Sequence, residues 1–508
     1  MTRRFDVVVL GGGVNGLGVG ALAARRGYSV LVLERADIGS GTTSASSRLI
    51  HGGLRYLQHG EFGLVRESLR ERAWLTRTYP HLVRPVRFLL PIYADRGLPA
   101  WKAGAGLGLY DLLAHDRLFP GSELLSPRDI GLLRPELNSH GLQCGFAYSD
   151  GQITFPERLC VELRGELLES HGACRTYHET VWVRRERDGW RLGVVDRITD
   201  AELEVEAGVV LNAAGPWIDS VNRALGIPAP KLIGGTRGSH LVLPQRPGGP
   251  GPGSFIYAPA RTDGRPFFIL PWDGRVLVGT TDVSVDGDPA GWSAEPWEWE
   301  YLLRETNALF PEAGFEERDV EYRTVGVRPL AASTLSSSSG STGGLTRRHF
   351  LVDYGQVAHA PGMAAMVGGK LTTFGSFADE CVRWIDHTLG TPADGGRHRH
   401  FPMDSPPPFA ARAAPGGLAA RYPPEVVDAL DQVTIGERSN RRLASPLPYR
   451  AGEVLHAARA EGARTVEDVM LRRLVVLPPN DMLRTAIRKV SETHQLGLVD
   501  EDSIRQAT

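Results

Sequence analysis

The sequence predicts an α/β protein in three parts: a parallel-sheet domain assembled from separated segments, a mixed antiparallel-sheet domain inserted into it, and a mainly helical C-terminal domain. Three observations lead there. An apolar strand pattern, a glycine turn, a helix pattern and a second strand follow one another at the start of the chain. A second strand–glycine–helix run recurs at residues 363–373. Between them lie segments of period-two character, the mark of strands with one covered face. A length of 508 residues suits two or three domains.

Phe5 to Leu10 is apolar except for Asp6, as in a strand buried on both faces. Leu17 to Arg26 reads as a helix stopped at Gly27, and Ser29 to Leu33 as a second buried strand ending in Glu34. Residues 39–53 are rich in Ser, Thr and Gly and, lying between strong elements, read as an ordered loop. Val65, Leu69, Ala73 and Thr76 recur at helical spacing, so a helix is expected to end near Pro80. Val209 to Ala214 reads as a buried strand turning at Gly215, and Phe267 to Asp282 and Val320 to Leu330 as strands. Ser333 to Gly344 has the composition of a flexible surface loop. Residues 398–417, with five prolines, read as a linker. The expected division is 1–80 with 145–235 and 345–397, then 81–144 with 236–344, then a helical domain at 418–508.

Formal charge is −2, which gives no long-range reason to expect nucleic-acid binding. Four cysteines without a CxxC pair suit a reducing compartment without structural zinc. No HExxH or other clustered ligand spacing points to a metal. The N-terminus runs directly into a strand pattern, so no signal peptide is expected. The most apolar stretch, Leu98 to Ala114, carries Lys102 and Asp111 and reads as soluble or interfacial rather than spanning.

Gly11-Gly12-Gly13-Val14-Asn15-Gly16 fits the G-x-G-x-x-G pattern. In a Rossmann-type unit the first glycine permits the turn, the second lets backbone approach a pyrophosphate, and the third lets helix and strand pack. The helix N-terminus then offers N–H groups and partial positive charge to phosphates. Glu34, 18 residues after Gly16, suits a carboxylate that accepts from ribose hydroxyls and repels a 2′-phosphate. This reading predicts a bound dinucleotide and leaves FAD and NAD both open. Asn212 to Trp217 ends a strand in small residues around Gly215, as close passage of a cofactor requires. Gly368-Gly369-Lys370 cannot be a P-loop, because Leu371 stands where Ser or Thr would bind magnesium. Its N–H groups suit the edge of a flavin ring instead.

The stretch from Ser46 to Leu57 (SSRLIHGGLRYL) resembles the signature of the FAD-dependent glycerol-3-phosphate dehydrogenases. Gly238-Ser239-His240, Gly279 to Asp282, Gly326 to Leu330 and Gly368 to Thr373 agree with it in the same order. The resemblance spans roughly residues 5–390 and implies the D-amino-acid-oxidase-like fold with FAD as cofactor. It implies oxidation of sn-glycerol 3-phosphate to dihydroxyacetone phosphate, with electrons passed to a quinone from a cytoplasmic, peripheral position on the inner face of the cell membrane. It leaves a homodimer open. Oxidases of the phosphate using O₂, and FAD-dependent amine or hydroxy-acid oxidases on the same scaffold, are the rival readings; a non-catalytic flavin-binding module is a third.

By the same resemblance, Gly11, Gly13, Val14, Asn15, Gly16, Glu34, Thr43, Ser44, Ser47, Gly215, Gly369, Lys370, Leu371 and Thr372 would contact FAD. A dianionic phosphate needs fixed cations, for which guanidinium forks are suited. Arg328 and Arg347 are the candidates, with Arg348 adjoining the latter. Arg55 and Lys370 would stabilise the developing alkoxide. His240 is the candidate general base, with Lys370 the alternative if burial lowers its pKa. Tyr56 is read either as a substrate contact or as packing, and His51 as a backbone cap or a flavin neighbour.

Overall fold

The computed structural model describes residues 3–114, 118–285, 287, 289–332, 348–390, 417–433, 442–444 and 448–505. The first sheet is built on Arg3–Leu10. It is flanked in parallel by Val30–Glu34 on one side and Glu202–Asn212 on the other. Ala173–Thr176 and Met363–Val367 extend it, again in parallel, and Phe350–Asp353 closes one edge antiparallel. Alternate residues of these strands face opposite ways. Val7, Val9, Val30, Val32, Val209 and Leu211 pack against the helices Val14–Arg25, Pro156–Glu169 and Phe374–Leu389. Val8, Leu31, Leu33 and Val210 pack against Trp190, Leu192 and Tyr354. Burial on both faces is why these strands read as nearly continuous apolar runs.

The first helix begins at Val14, three residues ahead of the expected start, so the last residues of the glycine motif form its first turn. Gly11 has φ +114°, and a Cβ there would lie 2.6 Å from the Ala213 carbonyl oxygen. Only glycine lets these two strand ends close on each other.

The second sheet carries Val83–Tyr93, Leu142–Ile153, Thr236–Pro244, Ile256–Pro259, Pro266–Trp272, Arg275–Gly279 and Tyr322–Arg328. Helix Pro296–Leu309 covers one face and Ala100–Ala114 the other. The expected strand at 267–282 is a hairpin, turned at Asp273-Gly274 with positive φ at both residues. Residues 145–153, expected in the first domain, pair along their length with Val83–Tyr93 in the second sheet. Cross-strand pairing set that boundary, which the apolar pattern of a single strand does not report.

The C-terminal helices include Ala451–Arg459 and Asp481–His494, with a π-helical turn at Asp468–Arg473 between them. They gather a core of their own from Val454, Val466, Met470, Leu474, Leu483 and Ile487. The expected loop at 333–344 and the residues 398–416 of the expected linker lie outside the described residues, as does Arg347. No described helix is long and apolar enough to cross a membrane. The four cysteines are free thiols.

Candidate active site

One cavity of about 770 Å³ runs from the carboxyl ends of the parallel strands to the face of the second sheet. Leu10, Leu33, Ala213 and Gly368 mark those strand ends in its wall. This is the crevice in which α/β sheets bind ligands, and its size suits a bound organic molecule.

At one end Glu34 is pinned by backbone. Its carboxylate accepts from Gly12 N at 2.6 Å and from Ala36 N at 2.8 Å. Burial raises its pKa, against these two hydrogen bonds. Gly11, Gly13, Val14 and Asn15 line the cavity beside it, with Thr43, Ser47, Gly215, Gly369, Lys370 and Leu371 further along. The Thr43 hydroxyl accepts from Val14 N at 3.3 Å. Asn15 Oδ1 is buried with no hydrogen-bond partner among the described residues. A glycine cradle at a helix start, a pinned carboxylate at the next strand end and an unsatisfied amide oxygen beside Gly369 fit a dinucleotide such as FAD.

Three expected contacts are not in the cavity wall. Gly16 packs behind it, where a Cβ would meet the Gly11 carbonyl oxygen at 2.0 Å. Ser44 turns back to the carbonyls of Ser40 and Gly41. Thr372 is buried and accepts from His51 N at 3.2 Å. The His51 ring lies edge-on to Phe268 at 6.2 Å.

At the other end the second sheet supplies the side chains. Along Thr236–Pro244 the period of two separates two jobs. Arg237 and Ser239 point to buried Glu298, at 2.8 Å each. Gly238 and His240 face the cavity. A Cβ on Gly238 would stand 2.4 Å from Arg328 Nη2, and one on Gly279 would stand 2.2 Å from His240 Cδ2. The glycines of two signature segments thus vacate the space that the arginine and the histidine fill.

His240 Nε2 lies 2.9 Å from Ser47 Oγ, and Nδ1 is buried without a partner among the described residues. Burial, with the charges of Arg328 and Arg48, pushes the imidazole pKa down to about 3. Arg328 is fixed by Thr236 Oγ1 and Thr280 Oγ1, each at 3.1 Å, and by Asp282 at 3.0 Å. Asp282 is shared with Arg265 at 3.1 Å. Lys370 Nζ sits 3.9 Å from the centre of the Tyr56 ring. Burial lowers its pKa, against the nearby Tyr56 and glutamates.

Tyr56, His240, Arg328 and Lys370 therefore share one chamber. Arg55 is not among the residues lining it. Arg348 is, and it lies beside Arg347 in a pair of arginines that sequence spacing alone does not tell apart. Sequence reading also missed Asp282 and Glu298 as the anchors of the site. Asp282 closes a segment that the sequence reading matched only as a whole, with no role for the aspartate, while Glu298 lies in a helix with no motif signal.

The FAD dependent oxidoreductase family (DAO) matches residues 6–374. A Synechocystis sp. glycerol-3-phosphate dehydrogenase is 34% identical over 96% of this chain and 92% of its own. A Brucella abortus D-erythritol 1-phosphate dehydrogenase is 31% identical over 92% of this chain and 93% of its own. The structure of the Bacillus halodurans glycerol-3-phosphate dehydrogenase complexed with FAD superposes with a TM-score of 0.71 at 22% identity, over 99% of this chain and 93% of that one. It shares the fold. The chain belongs to the FAD-dependent oxidoreductases and, within them, to the glycerol-3-phosphate dehydrogenases.

Proposed function

We propose that the protein oxidises the C2 hydroxyl of sn-glycerol 3-phosphate to give dihydroxyacetone phosphate, and that the electrons leave to a membrane quinone. The observation that carries this reading is the cavity itself: a neutral, buried imidazole near Arg328, in a wall that also holds Arg348, Lys370 and Tyr56. A phosphate needs fixed guanidinium donors, and an alcohol needs a proton acceptor.

Bound FAD supplies the acceptor for the two electrons that leave C2 with its hydrogen. Arg328, immobilised by Asp282 and two threonines, binds the phosphate together with Arg348. His240 Nε2, beside the Ser47 hydroxyl, takes the C2 hydroxyl proton. Burial is the larger cause of the depressed His240 pKa, and the arriving dianion opposes only the smaller contribution of Arg328 and Arg48. Lys370, whose pKa burial lowers, stabilises the developing oxyanion. The family resemblance gives Arg55 a place in the same chemistry, although it does not line the cavity.

Helix Ala100–Ala114 supports the quinone reading. Trp101, Ala105, Gly108 and Leu112 follow one another at three- and four-residue spacing and are all exposed, Trp101 at 70% and Leu112 at 67%. An exposed apolar stripe with Lys102 at its margin suits the surface of a bilayer, where quinones reside.

The test is anaerobic mixing of the yellow protein with glycerol 3-phosphate while the flavin band is followed. Rapid bleaching is expected. Bleaching by erythritol 1-phosphate alone moves the substrate to the four-carbon homologue, and bleaching only by amines or hydroxy acids overturns the phosphate reading. Peroxide formed in place of quinol on re-oxidation would assign oxygen as acceptor.

A further inference from the structure

We propose that the C-terminal helical domain is part of the cofactor site: it grips the loop that follows Glu34, so that its docking and the retention of FAD are linked. The loop contributes to the cavity wall twice, through Arg35 and Ala36 and again from Ser40 to Thr43. Between these stretches Asp37 is fully buried. Its carboxylate accepts from Arg472 Nε at 2.9 Å and from Arg473 Nη1. Both arginines belong to the π-helical turn of the C-terminal domain.

The contact closes into a ring. Arg472 also donates to Asp468 at 2.9 Å. Asp468 accepts from the Tyr177 hydroxyl at 2.7 Å. Tyr177 N donates to the Ala36 carbonyl at 2.9 Å. Loop, C-terminal turn and first-domain strand end are thus joined through Asp37, Arg472, Asp468, Tyr177 and Ala36. The buried carboxylates of Asp37 and Asp468 face the two guanidinium groups, and Glu501 lies 4.0 Å from Arg472. Glu501, from the last described helix, stands in the cavity wall itself.

The loop has its own tie to the glycine cradle, since Gly39 N donates to the Gly12 carbonyl at 3.0 Å. A loop held at Asp37 keeps the Ala36 N–H on Glu34 and the 40–43 stretch against the cofactor. A released loop must be reordered each time FAD binds. By linkage, whatever docking contributes to FAD binding, FAD returns to docking. The inference is independent of which alcohol is oxidised.

The experiment uses the full-length holoenzyme. FAD release is followed by the rise in free-flavin fluorescence for the wild type, Asp37→Asn, Arg472→Met, Arg472→Lys and Tyr177→Phe, with Arg488→Ala as a control on an exposed pair of the same domain. Release about 5- to 150-fold faster is expected for Asp37→Asn and Arg472→Met, the range of ordinary coupling between sites. Arg472→Lys should recover part of the loss, and Arg488→Ala should match the wild type. In the wild type, removing FAD should accelerate hydrogen exchange in helices 451–459 and 481–494. Should the charge variants fail to fold, Tyr177→Phe and the wild-type exchange comparison carry the test, because neither leaves an unpaired buried charge. Wild-type release rates in the folded variants, or exchange in those helices indifferent to FAD, overturn the proposal.

Discussion

His240 shows how one residue's environment sets its chemistry. Its imidazole is buried, held at Nε2 by Ser47, and neutral down to about pH 3 because burial and two arginines oppose the charge. A neutral imidazole can accept a proton, whereas a charged one cannot. His240→Ala is expected to slow flavin reduction by glycerol 3-phosphate by about 10²-fold or more, read by anaerobic stopped flow. An unchanged reduction rate would reject His240 as the base. The same depressed pKa has a stability consequence. Between pH 6.5 and about 3 the unfolded chain binds a proton that the folded chain refuses, so folding weakens as pH falls through that window. From pH 7 to pH 5 this amounts to about 2 kcal/mol. Denaturant titrations at the two pH values should show, for His240→Asn, a stability difference smaller than the wild type's by that amount.

Among the elements, the crossing of helix Phe62–Thr78 with helix Phe374–Leu389 carries a second titratable device. Trp74 packs on Phe374 at 5.7 Å between ring centres. Glu71 Oε2 lies where a Cβ on Gly375 would come within 2.6 Å of it. Burial, followed by the charge of Glu67, pushes the Glu71 carboxyl up to about 8. The folded protein therefore holds a proton there that the unfolded chain releases near pH 4.5. Stability falls as pH rises through that interval, by about 3 kcal/mol between pH 5 and pH 8. Glu71→Gln keeps the neutral form at every pH. It should raise the melting temperature at pH 8 and change it little at pH 5; an equal change at both would show that Glu71 is ionised in the fold.

For the whole molecule, the second sheet serves two surfaces. One face closes the reaction chamber with Gly238, His240 and Arg328. Helix Ala100–Ala114 buries Ala103, Leu107 and Tyr110 and turns Trp101 and Leu112 outward. Docking through this stripe is expected to bring the flavin domain to the bilayer without altering the chamber. Trp101→Ser with Leu112→Asn should lower co-sedimentation with vesicles of zwitterionic and anionic phospholipid and lower quinone reduction. Glycerol 3-phosphate oxidation with a soluble dye should be preserved. Undiminished sedimentation of the double variant would overturn the proposed docking through this stripe.

The glycine motif, the acid at Glu34 and the strand at Met363–Val367 were legible from residues 5–34 and 363–373 because their causes are local: turn geometry, helix-start N–H groups and strand burial act within a few residues. The signature segments likewise marked His240, Arg328 and Lys370. Other features needed distant chain segments brought together. Strand pairing assigned residues 145–153 to the second sheet, the fold brought Arg348 to the cavity wall and left Arg55 out of it, and Glu298 met Arg237 and Ser239 from 61 and 59 residues away. Asp37 and Arg473 are 436 residues apart. A buried charge reveals itself only with its partner present, and that partner is chosen by tertiary packing, not by neighbours along the chain.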